Sequence, residues 1–404
     1  MSREQNERIF LDYQSTTPVD PRVKDVVVEC MVDKFGNASS VDHDYGDQAE
    51  RLVNSARKQI GLLLDASPRQ VIFTSGATES INLGIVGFLN GITHQERIRI
   101  LSSPIEHPAV LETLKSIQRS SGGRIGIQWI PVDLAGQIDE DFLDSELKRG
   151  VDLVCIMAAN NEIGTIYPIE RIARKCRESG ARFFCDATQA VGKTPIEFRT
   201  WGISLLAFSA HKIYGPKGVG ALLVGKDCKL SPVFFGGSQE NGIRPGTLNV
   251  PGIAGLGQAC EFRRLEMGID ESRIAELRDL LWSLLARKIS SIHLNGDRSA
   301  RLSGNLHFSI PDIPNSAVIA RVRSRLAIST GAACSSGIVA PSHVLQAIGL
   351  SEESIEGSFR IGIGKFTSER DVRNAASIFI DAVHSVQQKL GICSDSKITD
   401  GVAK

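Results

Sequence analysis

The sequence predicts an α/β fold with a mostly parallel β-sheet and a second, smaller α+β unit. Two observations lead to this prediction. From about residue 70 to residue 225, short apolar runs alternate with segments of helical periodicity, which is typical of parallel strands joined by crossover helices. The chain has 404 residues, and because single cores stop growing near about 250–300 residues, two domains are expected.

The sequence predicts one crossover unit between residues 151 and 186. The runs "VDLVCIM" (151–157) and "RFFCD" (182–186) are almost continuously apolar and predict buried strands. Between them, apolar residues recur at helical spacing over 169–176, and Gly180 provides a stop signal. The unit is therefore predicted to read strand, helix, strand.

The remaining elements are assigned more coarsely. Apolar positions at helical spacing between Ala49 and Leu63 predict a helix that packs on the core. Beyond about residue 260 the pattern predicts a separate unit with helices over 269–289 and 314–326 and a strand over 302–310. The segment "FLDYQSTTPVDP" near the start is expected to return to that unit. We therefore expect a large domain over 16–260 and a small domain formed by 1–15 and 261–404.

Composition and charge exclude several classes of protein. Lys and Arg total 46, as do Asp and Glu, so the formal net charge is zero and direct binding to nucleic acid is not expected. The first ten residues lack the apolar core of a secretory signal, and there is no apolar stretch of membrane-spanning length, which favours a cytoplasmic protein without membrane association. Eight scattered cysteines without a C-x-x-C pair fit neither a disulfide framework nor a metal site.

The segment "TSGATESINL" (74–83) follows an apolar run and begins a predicted helix. The backbone amides near Gly76, Ala77 and Thr78 would then face a cavity at a helix N-terminus, a geometry that binds phosphate. An ordinary capping box that uses Glu79 explains the same residues equally well.

The segment "FFCDATQAVGK" (183–193) ends a buried strand with Asp186 and adds Gln189 three residues later. Ligands of open α/β folds bind at this carboxyl edge. A surface ion pair is the simpler interpretation of Asp186, but the preceding apolar residues favour burial, and a buried carboxylate requires a cation or a donor. A protonated pyridine nitrogen is such a partner.

The segment "AFSAHKIYGPKGVGALLV" (207–224) places Lys212 directly after Ser209, Ala210 and His211, just beyond the predicted strand "SLLAF". A lysine is most often a solvated surface residue. Here Ser209 and His211 offer donors to a phosphate, and an amine in a partly dry, cation-rich pocket is suited to form a Schiff base. Together with the helix N-terminus and Asp186, this order of residues indicates pyridoxal 5'-phosphate.

With these segments, the chain resembles the group I (NifS/IscS-like) cysteine desulfurases, of the class-V aminotransferase family. The similarity covers nearly all of residues 9–370. The blocks that carry it are "FLDYQSTTPVDP", "FGNASSVDHDYG", "FTSGATES", "EHPAV", "NNEIG", "CDATQAVGK", "SAHKIYGPKG", "GIRPGTLNV", "STGAACSSG" and "SFRIGIGKFT". The resemblance implies the type I, aspartate-aminotransferase-like fold of pyridoxal phosphate enzymes, with a mixed, mostly parallel seven-stranded sheet in the large domain.

The resemblance also implies roles for individual residues. His107 resembles the histidine that stacks on the cofactor ring and assists proton transfer. Asn161 resembles the residue near the cofactor's 3-oxygen and the substrate carboxylate, and Gln189 the donor to that oxygen. Thr78, Ser209 and His211 would hold the phosphate, and Arg360 would bind the substrate carboxylate, a task that suits a guanidinium. Thr247 matches a residue that reaches the phosphate of the other subunit, which implies a homodimer.

Cys334 lies in "STGAACSSG", a run of small residues within a loop expected over about 327–340. The resemblance implies that its thiolate takes sulfur from L-cysteine as a persulfide, releases L-alanine and passes the sulfur to an acceptor or scaffold protein. Iron–sulfur cluster assembly, thiolation and DNA phosphorothioation all stay open as destinations. A related aminotransferase or selenocysteine lyase, or a non-catalytic sulfur carrier, are the alternatives.

Overall fold

The computed structural model describes residues 8–93, 96–330 and 341–391. The strands are β1 (Ile9–Phe10), β2 (Val71–Thr74), β3 (Ile98–Ser102), β4 (Ile125–Trp129), β5 (Leu153–Cys155), β6 (Arg182–Asp186), β7 (Leu205–Ser209), β8 (Gly220–Val224), β9 (His293–Leu294), β10 (Asn305–Ser309), β11 (Leu326–Ala327) and β12 (Ser358–Gly362).

The α-helices are α1 (Pro21–Val32), α2 (Asp44–Leu64), α3 (Ala77–Asn90), α4 (Pro108–Ser120), α5 (Glu140–Lys148), α6 (Ile169–Ser179), α7 (Phe198–Trp201), α8 (Val250–Ala286), α9 (Asn315–Val322), α10 (His343–Ala347), α11 (Glu352–Glu356) and α12 (Glu369–Leu390). Short 3-10 turns cover Pro68–Gln70, Ala210–Lys212 and Gln239–Gly242. None of the helices in the described part of the chain has the length and apolar composition needed to cross a membrane.

The larger sheet of the described residues has seven strands in the order β2-β8-β7-β6-β5-β3-β4. Its neighbours pair in parallel, except that β8 runs antiparallel to both β2 and β7. This confirms the predicted α/β fold with a mixed, mostly parallel sheet. Because the parallel strands point the same way, the segments that follow β2, β3, β5, β6 and β7 meet at one edge of the sheet.

The predicted crossover unit is confirmed. β6 covers the predicted strand 182–186, and α6 places Ile169, Ile172, Ala173 and Cys176 on its buried face. Gly180 ends α6 with φ 81°, a left-handed conformation that favours glycine. β5 is shorter than the predicted 151–157, although the amides of Ile156 and Ala158 continue to donate to the backbone of β6.

The predicted helix over 269–289 is the second half of α8, which begins at Val250. Glycines in the first half of α8 hide its helical character in the sequence, since glycine is a poor helix former. A Cβ atom on Gly257 would lie 2.6 Å from the Cα atom of Ala56, so that glycine allows α8 to pack closely on α2. α8 also continues through the predicted domain limit at residue 260, and the domain limits stay a prediction.

A second core lies around the antiparallel sheet β12-β10-β9. Three fully buried rings form its centre, with Phe308, Phe359 and Phe379 at centroid distances of 5.0 to 5.7 Å. β1 pairs in parallel with β11, and Ile9 and Leu11 belong to this second core. From there the chain passes Asp12, Gln14 and Ser15 to the carboxyl edge of the larger sheet, where they contact the site.

Candidate active site

A cavity of about 670 Å³ opens at the carboxyl edge of the larger sheet. It is lined by most of the predicted site residues, namely Gly76, Ala77, Thr78, His107, Asn161, Asp186, Gln189, Ser209, His211, Lys212 and Arg360. Two predicted residues are not among them. Thr247 is exposed and lies beside Phe235 in a separate surface hollow, and Cys334 lies outside the described residues.

The N-terminus of α3 forms one wall. Gly76 precedes the helix with φ 154°, a backbone conformation that L-residues with a side chain rarely adopt. The amides of the first helical turn have no partner within the helix and carry the positive end of its dipole. Glu79 also caps this turn, since its Oε2 accepts from the amide of Ser75 at 2.7 Å. The N-cap residue Gly76 has no side-chain bond to the helix, so the reciprocal capping box is not formed, and phosphate binding at this turn stays a prediction.

Asp186 is the last residue of β6 and is only 6% exposed. Its Oδ1 accepts from the amide of Thr188 at 3.0 Å and from the Thr188 hydroxyl at 2.5 Å. These two bonds orient the carboxylate toward the cavity. Sequence reasoning missed Thr188, although a hydroxyl two residues after an aspartate is a common partner for that carboxylate.

Lys212 lies on the 3-10 turn that follows β7, and its amine points into the cavity. Nζ donates to the backbone oxygens of Gln14 at 2.5 Å and Ser15 at 2.7 Å. Burial, with the positive charges of Lys193 and Arg360 next, lowers the pKa of Lys212 to about 7. The amine is therefore a buried base that is partly unprotonated at neutral pH.

The residues around Lys212 are held by further polar contacts. His211 Nδ1 lies 3.1 Å from the hydroxyl of Thr16, and burial lowers the pKa of His211 to about 4. His211 is therefore neutral at pH 7. Gln189 Nε2 donates to the backbone oxygen of Gln14 at 2.9 Å, and Ser209 Oγ lies 3.4 Å from the backbone oxygen of Val219.

His107 lies at the start of α4, where Nδ1 accepts from the amide of Ala109 at 3.1 Å. His107 both caps the helix and lines the cavity, so capping does not exclude the predicted role in proton transfer. Burial lowers the pKa of His107 and favours the neutral imidazole. The preceding Glu106 is fully buried, with Oε1 accepting from Ser103 Oγ at 2.8 Å and from the Met157 amide at 3.0 Å.

Arg360 reaches the cavity from β12 of the second unit. Nη1 donates to the backbone oxygen of Asn161 at 3.0 Å, and Nη2 donates to Asp12 Oδ1 at 3.1 Å and Ser15 Oγ at 2.8 Å. Its Nε is buried and has no hydrogen-bond partner among the described residues. A buried guanidinium with an unpaired N–H at a cavity wall is suited to receive an anion.

Comparison with known proteins shows the family to which the chain belongs. The family profile "Aminotransferase class-V" matches residues 9–374. "Cysteine desulfurase IscS" of Shewanella baltica (strain OS223) is 39% identical over 384 residues, which cover 94% of each chain. The solved structure of a NifS-like protein has a TM-score of 0.85 at 32% identity, covering 94% of this chain and 100% of that one. A structure described as SspA in complex with cysteine has a TM-score of 0.77 at 30% identity, covering 89% and 100%.

The fold and the cavity, taken with these matches, define a pyridoxal-phosphate-dependent enzyme of fold type I. The chain belongs to the class-V aminotransferase family and, within it, to the IscS- and NifS-like cysteine desulfurases.

The residues of the cavity fit pyridoxal phosphate. The amides at the start of α3 offer donors to a phosphate group, and Lys212 offers an amine to an aldehyde. Asp186 supplies a carboxylate for the ring nitrogen. Lys217 and Arg360 also line the cavity and offer positive charges to the anionic groups of a ligand.

The residues that sequence reasoning missed come from the N-terminal segment and from within the motifs around Asp186 and Lys212. They are Asp12, Gln14, Ser15, Thr188, Lys193 and Lys217. The first three belong to the block "FLDYQSTTPVDP", which carries the family resemblance but has no chemical motif of its own. These three residues are polar and close together in the sequence, which is the one sign of a function that the block offers. They could be assigned to the site only once the chain was folded.

Proposed function

We propose that the protein converts L-cysteine to L-alanine and retains the sulfur as a persulfide on Cys334. The observation that carries this proposal is the buried amine of Lys212, held by two backbone carbonyls in a cavity that also contains Asp186 and Arg360. The similar structure of SspA in complex with cysteine supports the choice of substrate.

The cofactor is held at both ends in this proposal. Gly76, Ala77, Thr78, Ser209 and His211 bind the phosphate, and a neutral His211 serves as a donor rather than as a counterion. Asp186 holds the ring nitrogen, and Gln189 and Asn161 lie toward the 3-oxygen. Pyridoxal phosphate, when bound, offers an aldehyde to an amine and draws electrons from the substrate α-carbon.

The substrate carboxylate binds Arg360. Nε of that guanidinium is unpaired, and Nη1 donates to the backbone oxygen of Asn161. Arg360 would therefore hold both the substrate and the segment that contains Asn161. The carboxylate would then lie near the amine of Lys212, because Arg360 and Lys212 both contact Ser15. This places the substrate α-proton near a base of suitable pKa.

Proton transfer is assigned to Lys212 and His107. Nζ of Lys212 would accept the α-proton of the substrate. His107 Nδ1 is engaged with the helix backbone, so Nε2 is the atom available for proton exchange in the cavity. Both groups have lowered pKa values because of burial, which favours their basic forms at neutral pH.

The sulfur step uses the Cys334 thiolate as nucleophile. A bond forms between the Cys334 sulfur and the substrate sulfur, and the substrate Cβ–S bond breaks. The electron pair of that bond stays on the substrate carbon, which takes a proton and leaves as alanine. The sum is cysteine plus enzyme thiol giving alanine plus enzyme persulfide, so no external oxidant is needed.

The described cysteines support this choice of nucleophile. Cys30, Cys155, Cys176, Cys185, Cys228 and Cys260 are buried. Burial raises the pKa of each of these thiols and suppresses the reactive thiolate. Cys334 and Cys393 remain as the candidates among the eight cysteines.

The test compares Cys334→Ser with Cys393→Ser as matched control. With L-cysteine, we expect Cys334→Ser to retain the cofactor and its substrate-induced spectral change but to form neither persulfide nor sulfide. Cys393→Ser is expected to behave as the parent enzyme. Sulfide release by Cys334→Ser at the parental rate would contradict the assignment. Keto-acid products instead of alanine would favour an aminotransferase.

The proposal extends to partners. We propose a cytoplasmic homodimer in which Thr247 reaches the phosphate of the other subunit, and a protein acceptor that takes the sulfur for iron–sulfur assembly, thiolation or DNA phosphorothioation. The exposure of Thr247 outside its own cavity supports this arrangement. Incubating the enzyme with ³⁵S-cysteine and candidate acceptors identifies the partner that becomes labelled, and sedimentation tests the dimer.

A further inference from the structure

A second lysine lies behind the amine of Lys212. Lys193 Nζ donates to Gln189 Oε1 at 3.0 Å, and Gln189 Nε2 donates to the backbone oxygen of Gln14 at 2.9 Å. That same oxygen accepts from Lys212 Nζ at 2.5 Å. The two lysines are therefore joined through one side-chain amide and one backbone carbonyl.

Lys193 and the backbone oxygen of Gln14 together determine which way the amide of Gln189 points. An ammonium group only donates hydrogen bonds, so the Gln189 atom that faces it has to be the oxygen. The NH₂ end then faces Gln14 and the cavity. The backbone oxygen of Gln14 only accepts, so it requires the same orientation of the amide from the other side.

The charges around the two amines differ. The charged or titratable groups that face Lys212 are Lys193, Arg360, Asp12 and Asp186, with His107 and His211 nearby. Those that face Lys193 are Glu271, Arg263 and His211. Burial lowers the pKa of Lys193 to about 8, whereas that of Lys212 falls to about 7. A protonated Lys193 therefore adds a positive charge near Lys212.

We propose that Lys193 is a positioning residue for Lys212: together with the backbone oxygen of Gln14 it holds the amide of Gln189 and, through its positive charge, it favours the neutral amine of Lys212. A neutral amine is the form that attacks an aldehyde. The inference rests on the proposed role of Lys212 as the amine that bonds the cofactor. Lys193 itself does not line the cavity and does not contact the reacting atoms.

The test measures the protonation of both amines directly. The full-length protein, freed of cofactor, is labelled with trace acetic anhydride between pH 5 and pH 11, and the labelled lysines are quantified by mass spectrometry. Lys193→Gln keeps a hydrogen-bond donor but removes the charge, and Lys193→Arg keeps the charge. Lys226→Gln removes an exposed lysine and is the matched control.

We expect the labelling midpoint of Lys212 to rise by about one pH unit in Lys193→Gln, as befits the loss of a like charge nearby. Lys193→Arg and Lys226→Gln are expected to keep the parental midpoint. An unchanged Lys212 midpoint in folded Lys193→Gln would overturn the proposal. In the parent protein, a Lys193 midpoint below that of Lys212 would overturn it as well, even if no variant folds. Cofactor bonded to another residue would instead contradict the proposed function.

Discussion

The Lys212 amine lies 2.5 Å from the backbone oxygen of Gln14, a residue 198 positions earlier in the chain. This contact places the amine at the junction between the N-terminal segment and the carboxyl edge of the larger sheet. The partners of the amine are neutral carbonyls, while two cationic side chains lie near. Burial, followed by these positive charges, favours the unprotonated amine, and the first prediction follows from that property.

The rate of cofactor binding to Lys212 is predicted to depend on pH with a midpoint near 7. Below that value the amine is protonated, so the rate is expected to fall about tenfold for each further pH unit. Stopped-flow absorbance of the cofactor-free protein mixed with pyridoxal phosphate measures this rate. A free lysine derivative under the same conditions corrects for titration of the cofactor. A rate that keeps rising toward pH 10 would contradict the lowered pKa.

Arg360→Gln is predicted to weaken cysteine binding more than turnover. Loss of charge-assisted hydrogen bonds costs about 1.5–3 kcal/mol, so the KM for cysteine should rise about 10- to 100-fold. Arg360→Lys is expected to restore little, because an ammonium lacks the planar fork of a guanidinium. Arg373→Lys, at an exposed ion pair with Glu369, is the control. Parental KM values in Arg360→Gln would exclude the proposed carboxylate site.

Glu106→Gln is predicted to reduce the loss of stability with rising pH. Burial raises the pKa of Glu106 to about 8, so between about pH 4 and pH 8 the folded state holds a proton that the unfolded state releases. The parent protein should therefore lose stability over this range relative to the variant. Melting temperatures from pH 5 to pH 8.5 measure the difference. Exposed Glu50→Gln is the control, and parallel curves for Glu106→Gln and the parent would contradict the prediction.

A cluster of four charged residues joins the start of α1, α8 and the segment after β12. Lys365 Nζ lies 2.9 Å from Asp20 and 2.5 Å from Glu266, and Arg22 contacts both acids. Asp20 is nearly buried, so Lys365→Met is expected to lower the free energy of unfolding by about 2 kcal/mol. Lys24→Met, at an exposed pair with Asp25, should change it by less than about 0.5 kcal/mol. Urea unfolding tests both.

The same cluster predicts a pH dependence. Hydrogen bonds from Arg22, and then from Lys365, hold the pKa of Asp20 well below its usual range. They also lower the pKa of Glu266 to about 2. Lowered carboxyl pKa values stabilise the fold above about pH 4, and this contribution disappears as the pH falls through the folded values. The stability difference between the parent and Lys365→Met should therefore shrink between pH 4 and pH 2. A constant difference would exclude this origin.

Much of the site could be predicted because its residues lie in short motifs at strand ends. Lys212 stands beside Ser209 and His211, and Asp186 ends an apolar run, so chemistry and position are both visible locally. The contacts that adjust these groups could not be predicted, since Lys212 meets Gln14 only after the chain has folded. The first half of α8 was hidden for a related reason, because Gly257 serves a contact with a distant helix.

The central claim is that the ε-amine of Lys212 is the group that bonds the cofactor beside the carboxylate of Asp186. Borohydride reduction of the purified holoenzyme, followed by digestion and mass spectrometry, tests this directly. We predict one reduced phosphopyridoxyl adduct per chain, located on Lys212 within 207–224. An adduct on Lys193, Lys217 or any other lysine, or the absence of an adduct on a fully loaded enzyme, would contradict the claim.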